Sequence, residues 1–173
     1  TSTYTVRENK GTAGGITYDT HICTVNVTPT DTGNGSINVK LVYSDGDTAK
    51  FTNSYNAKGT LNFNTLTKRV TGRSFLDGDS ITFHLIGEVT DTPDIKAPMP
   101  SNVDSNGNIT INPQTGQQQA DIALGKVNID SRYTGHTLRY TLTETRADAH
   151  GLSIDTSKKV FVFKVTDTQA NGK

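Results

Sequence analysis

Two stretches of this chain carry the same pattern at a constant separation. Tyr4-Thr5-Val6-Arg7-Glu8 recurs as Tyr140-Thr141-Leu142-Thr143-Glu144. Gly15-Ile16-Thr17-Tyr18-Asp19-Thr20 recurs as Gly151-Leu152-Ser153-Ile154-Asp155-Thr156, and Thr30-Asp31-Thr32 as Thr166-Asp167-Thr168. The offset is 136 residues throughout (144 − 8, 155 − 19 and 167 − 31), so no gap interrupts the match. A repeat of this length exceeds any solenoid or propeller unit and approaches the size of one domain. The 173 residues therefore hold more than one repeat and fewer than two. The expectation is a tandem repeat cut mid-domain. Residues 1–56 are read as the C-terminal strands of one unit, and 57–173 as the N-terminal and central part of the next.

The pattern inside each unit is that of strands. Residues 3–8 and 22–28 alternate, the latter around Cys23, Val25 and Val27. Ile37 to Tyr43, Ala49 to Tyr55, Leu61 to Lys68, Ser80 to Ile86 and Val160 to Val165 read as further strands. Gly33-Asn34-Gly35 and Ser44-Asp45-Gly46-Asp47 are turn signals, and 56–60 is a polar join. No helical period is sustained. With 32% hydrophobic residues and no Trp, the composition fits short half-buried strands rather than amphipathic helices. The fold class is all-β, an immunoglobulin-like or Greek-key β-sandwich. The charges balance at 17 basic and 17 acidic, with no block of either sign, so neither nucleic acid nor a membrane surface is an expected partner. Cys23 is the single cysteine, which excludes an intrachain disulfide. It aligns with Lys159 in the second copy and is expected to be exposed.

Three features combine into a larger pattern. A strand ending in Glu occurs twice, at Glu8 and Glu144. Phe51-Thr52-Asn53-Ser54-Tyr55 sets an Asn between aromatics. Lys68-Arg69-Val70-Thr71-Gly72-Arg73-Ser74-Phe75-Leu76 precedes Ile81-Thr82-Phe83-His84-Leu85. In this order the pieces resemble the pilin isopeptide-linkage domains of Gram-positive surface proteins, the streptococcal pilus backbone among them. Those domains commonly open on Lys-x-Leu-x-Gly-Arg-x-Leu and close on Phe-Thr-Asn-x-Tyr. Here Val70 stands for the usual Leu, and Leu124-Gly125-Lys126-Val127 for a Phe-Gly motif. Residues 1–56 carry the family's Glu and Asn without the Lys, and 57–173 its Lys and Glu without the Asn.

The resemblance implies a spontaneous Lys–Asn isopeptide bond, with Lys68 and Asn53 as the crosslinking pair and Glu144 or Glu8 as the promoting acid. The physical chemistry is direct. An amine buried among apolar side chains loses its charge readily, and a carboxyl in the same pocket holds a proton. The acid is expected to hydrogen-bond the Asn carbonyl and move protons while the amine expels ammonia. Holding the groups on neighbouring strands is worth roughly 7–11 kcal/mol. Alternation puts Glu8 on the face of Tyr4 and Val6, Glu144 on that of Tyr140 and Leu142, and Asn53 on that of Phe51 and Tyr55, all read as core-facing.

The bond forms once, so the chain is read as a structural module and not an enzyme: part of an extracellular, cell-wall-anchored stalk, pilus or adhesin. No cofactor and no metal are expected. Its partners are neighbouring repeats of the same protein or, by strand exchange, other copies, because 57–173 has no counterpart of Ala49 to Tyr55 and a sandwich with a vacant edge recruits strands. The alternative is a ligand-binding adhesin domain using the 90–118 loops, which asks for a concave, aromatic- or metal-lined pocket. Asp104-Ser105-Asn106-Gly107-Asn108 begins like a calcium loop but lacks the later Gly and Glu, and is read as a turn. His21, His84, His136 and His150 have no metal-ligand spacing.

Overall fold

The computed structural model describes residues 1–149 and 151–167. His150 and Thr168, named above, lie outside them. The described chain separates into two units, Thr1–Ala57 and 58–167. It is all-β, built from antiparallel pairs, with one 3₁₀ turn and no α-helix among the described residues.

The first unit contains β1 (Ser2–Arg7), β2 (Ile16–Thr17), β3 (Ile22–Asp31), β4 (Ile37–Tyr43) and β5 (Ser54–Tyr55). One sheet has the order β1-β3-β4, and β2 pairs with β5. Its interior is thin, with Cys23 and Val25 buried at its centre. Tyr4 (58% exposed) and Val6 share a face with their cross-strand partners Val25 and Cys23, as alternation implies, but on the edge strand β1 they stay exposed instead of buried. Cys23 is fully buried, not exposed, because β3 is the central strand, flanked by β1 and β4.

The second unit contains β6 (Lys58–Asn62), β7 (Leu66–Arg69), β8 (Ser80–Val89), β9 (Asn108–Ile111), β10 (Gln119–Ile122), β11 (Lys126–Asp130), β12 (Thr137–Asp148) and β13 (Lys158–Lys164). A four-stranded sheet, β13-β12-β8-β9, packs with the pairs β10-β7 and β11-β6 into a sandwich. Alternation builds the core directly. Ile81, Phe83 and Leu85 of β8, and Leu138, Tyr140 and Leu142 of β12, are all buried and meet Val70, Phe75, Ile122 and Leu124. The stretch read as one strand from Leu61 to Lys68 is two, because β6 pairs with β11 and β7 with β10. At the changeover Phe63 turns inward, edge-on to Tyr140, Phe161 and Phe163. The loop after β8 is tied down: Tyr133 Oη donates to Lys96 O at 3.0 Å and Tyr140 Oη to Pro98 O at 2.6 Å.

The internal repeat holds pair by pair. β1 meets β3 with Ser2 opposite Val27 and Arg7 opposite Ile22. β12 meets β13 with Leu138 opposite Phe163 and Thr143 opposite Lys158, each residue displaced by 136. In the first unit β4 occupies the outer edge of β3, from Val25 opposite Tyr43 to Asp31 opposite Ile37. No described strand occupies the outer edge of β13, and β7 is likewise paired on one side only.

Candidate functional site

β7 and β12 bring the first pair of residues together. Lys68 Nζ donates to Glu144 Oε2 at 2.6 Å, with the two side chains 12% and 3% exposed. The β12 alternation that buries Leu138, Tyr140 and Leu142 sends Glu144 into the same interior. Immediately after it the β12–β8 ladder slips, from Glu144 opposite Phe83 to Arg146 opposite Thr82. Such a bulge re-aims a strand where it occurs, here one residue past the carboxylate. Glu144 Oε1 is buried and has no hydrogen-bond partner among the described residues. The pair lies in a groove of about 470 Å³ between β7 and β13, lined also by Phe83, Asp155, Lys159 and Phe161.

The second pair lies in the first unit. Asn53 Nδ2 donates to Glu8 Oε1 at 2.7 Å, and Asn53 Oδ1 accepts the main-chain N–H of Asp19 at 2.8 Å. Asn53 is exposed, although the flanking aromatics predicted burial. Its amide is held in place from Glu8 and Asp19, while Phe51 stacks on the His21 ring at 4.8 Å. Glu8 is half-buried, and its Oε2 is the counterpart of Glu144 Oε1: buried, without a partner among the described residues.

Each half-site is thus a Glu with one oxygen engaged and the other idle. Glu144 has the amine and lacks the amide; Glu8 has the amide and lacks the amine. Sequence reasoning placed these four residues in one constellation, but it missed what supports Asn53. Asp19 Oδ1 accepts His21 N–H at 3.0 Å and His21 Nδ1–H at 2.8 Å, and Asp19 Oδ2 accepts Thr52 N–H at 2.8 Å. His21 Nε2 lies 3.0 Å from Asp45 Oδ2. The main-chain bond from His21, then that from Thr52, holds the Asp19 carboxyl far below the usual carboxylate range. The hydrogen bond to Asp45, then that to Asp19, raises the His21 imidazole above its ordinary value. The signal for Asp19 was present, since it recurs as Asp155, but the sequence assigned it no role.

Other candidate sites resolve simply. Asp104 Oδ1 accepts the N–H groups of Asn106 and Asn108, each at 2.8 Å, as a turn does. No cluster of three metal-ligating side chains occurs among the described residues. The groove beside the loop of the adhesin alternative is lined by Pro93, Ile95, Lys96, Ala97, Met99 and Arg139 among others, with no aromatic ring. No described helix is long and apolar enough to cross a membrane.

No curated protein and no solved structure matches the chain. The family model described as FctA, a Spy0128-like isopeptide containing domain, matches residues 1–56 and 64–173. Those two stretches take in both Glu-centred half-sites and nearly the whole sequence. The chain belongs to the Spy0128-like isopeptide-containing family: it is an all-β structural module of the Gram-positive pilin type, a class of cell-surface protein.

Proposed function

We propose that this chain stiffens a cell-surface stalk, pilus or adhesin through a Lys–Asn isopeptide bond, with Lys68 as the amine, Glu144 as the acid and an Asn placed like Asn53 as the electrophile. The observation that carries this reading is the buried Lys68–Glu144 pair, which leaves Glu144 Oε1 idle in an open groove. A buried polar atom without a partner is costly, and a docking amide satisfies it.

The repeat supports the kind of segment that enters. In the first unit, the positions equivalent to Glu144, Asp155 and Lys159 are Glu8, Asp19 and Cys23. There Asn53 bonds Glu8, Thr52 bonds Asp19, and Cys23 is buried. In the second unit Lys159 lies exposed in the groove. A segment like 37–55 therefore fits the groove and the edge of β13 that no described strand occupies. We infer that another copy supplies it by strand exchange, so that Lys68 of one copy joins Asn53 of the next and chains link head to tail. The reaction turns over once and needs no cofactor.

The test is covalent. Concentrated wild-type chain, and wild-type chain mixed with a synthetic peptide of residues 44–57, is followed by denaturing gel and intact mass. The expected products are covalent oligomers and a peptide adduct, each link lighter by one ammonia. Lys68→Ala and Glu144→Gln chains, and an Asn53→Ala peptide, give none. Wild-type chain that loses no ammonia under either condition overturns the reading.

A further inference from the structure

We propose that the main-chain N–H of Asp19 is the donor that orients and polarises the reacting carbonyl of Asn53, and that the N–H of Asp155 does the same for an amide entering the Lys68–Glu144 groove. This rests on the crosslinking reading above.

The Asp19 N–H lies 2.8 Å from Asn53 Oδ1, and a donor there demands an acceptor, so the oxygen must face it. Asn53 Nδ2 is then directed at Glu8 Oε1, 2.7 Å away. The carboxyl group therefore sits at the leaving nitrogen, not at the carbonyl oxygen, which is the reverse of the arrangement expected from the sequence. Polarisation of the carbonyl falls to the backbone.

That backbone group is fixed on several sides. The Asp19 carboxylate is bound by the N–H groups of His21 and Thr52 and by the His21 ring. The ring is pinned in turn by Asp45 and by Phe51. Thr52 and Asn53 are thus both tied to Asp19, one through its side chain and one through its main chain. In the second unit Asp155 repeats the local turn: its Oδ1 accepts the N–H of Ser157, two residues on, at 2.9 Å, as Asp19 does for His21. Asp155 lines the same groove as Lys68 and Glu144.

The step balances with these groups alone. Glu144 takes a proton from the Lys68 ammonium, and the free amine pair forms a bond to the amide carbon. The carbonyl π pair moves onto oxygen, where the Asp155 N–H receives the developing charge. Glu144 then delivers its proton to the amide nitrogen and recovers one from the attacking nitrogen. The carbonyl re-forms, the carbon–nitrogen bond to the original amide nitrogen breaks, and ammonia leaves. The products are one secondary amide, one ammonia and one protonated carboxyl.

Removing a single donor of this kind typically costs about 10²–10³-fold in rate. The test replaces the amide before residue 155 by an ester, using the α-hydroxy analogue of aspartate in the full-length chain, which deletes the N–H and keeps the side chain. Coupling to the 44–57 peptide is expected to slow about 10²–10³-fold, while non-covalent binding of the Asn53→Ala peptide changes little. An ester chain that couples at the wild-type rate overturns the inference. A wild-type chain that does not couple overturns the crosslinking reading instead. In that case the Asp19 contact is decided by NMR: a through-hydrogen-bond coupling between the Asp19 amide nitrogen and the Asn53 side-chain carbonyl carbon supports the inference, and its absence overturns it.

Discussion

Lys68 and Glu144 occupy an interior that tolerates them as a pair and not singly. Lys68→Met leaves the Glu144 carboxylate buried and unpaired, and breaking a buried pair in this way costs about 3–5 kcal/mol. Replacing both, as Lys68→Met with Glu144→Leu, is expected to restore most of that loss, since apolar isosteres of buried pairs are often neutral or stabilising. Urea unfolding of non-crosslinked chain reads both changes; a double variant no better than the single would contradict the view that the pair is kept for chemistry. His21 presents a different case, because it bridges Asp19 and Asp45 at the surface. Its value is raised in the folded state, chiefly by Asp45, so its contribution is whole below about pH 6.5 and fades as pH rises through the raised value. Asp45 is lowered to about 2, first by its bond to His21, so its contribution is lost only as pH falls towards that value. The clamp on Thr52 and Asn53 is therefore intact between the carboxylate range and neutrality. Amide hydrogen exchange at Asp19 and Thr52, corrected for intrinsic rate, should lose protection on raising the pH past neutrality in wild type and not in His21→Gln. Parallel profiles in the two proteins would exclude the clamp.

At the level of strands, the same sequence pattern meets two surroundings. Tyr140 and Tyr4 are equivalent positions on β12 and β1, yet Tyr140 is fully buried and bonds Pro98 O, while Tyr4 is largely exposed. Tyr140→Phe removes the bond to the part-buried Pro98 carbonyl and is expected to cost about 1–3 kcal/mol. Tyr4→Phe should stay within about 0.5 kcal/mol. Equal effects in thermal or urea unfolding would mean that the loop at Pro98 is not anchored through Tyr140. This contrast also marks what the sequence could convey. Alternation marked β8, where Ile81, Phe83 and Leu85 are buried, and the 140–144 part of β12, because a strand with one buried face writes its period of two into the chain; β4 was read as a strand from Ile37 to Tyr43, although neither of its faces is buried. Alternation failed at 49–55, where only Ser54 and Tyr55 form a strand. There the main-chain donors of Lys50 and Thr52 go to the carboxylates of Asp45 and Asp19, a competition that hydrophobic pattern does not record. It failed again for the burial of Tyr4 and Asn53, and the alignment with Lys159 failed for Cys23, because exposure depends on which strands are neighbours. Motif order singled out Glu8, Asn53, Lys68 and Glu144. The Asp19–His21–Asp45 support was hidden because it joins a turn, a strand start and a second turn far apart in sequence.

For the molecule as a whole, the free edges and the apolar face decide how it associates. No described strand pairs with the outer edge of β13, and β4 carries Ile37, Val39 and Leu41 exposed. Edges of this kind pair with other chains unless protected. The repeat fixes the register that exchange must adopt. In the first unit Asn26 stands opposite Val42 and Val27 opposite Leu41. Displaced by 136, the partners of Val42 and Leu41 from an incoming copy become Val162 and Phe163. Val162 and Val42 are both exposed, so cysteines there are accessible before association. A chain with Val162→Cys and Val42→Cys, in a Cys23→Ser background, should form disulfide-linked oligomers under mild oxidation. Moving the second cysteine to Leu41 shifts it by one residue, to the opposite face of the strand, and should abolish the link. An exchange of this kind would be heterologous and would propagate into fibres unless the geometry closed a ring, so scattering mass should rise with concentration. Lys68→Ala should keep this reversible association while losing the covalent ladder, which separates docking from chemistry. A strictly monomeric wild type, together with no register preference between the two cysteine pairs, would rule out exchange between copies and confine the segment that fills the groove to the same polypeptide.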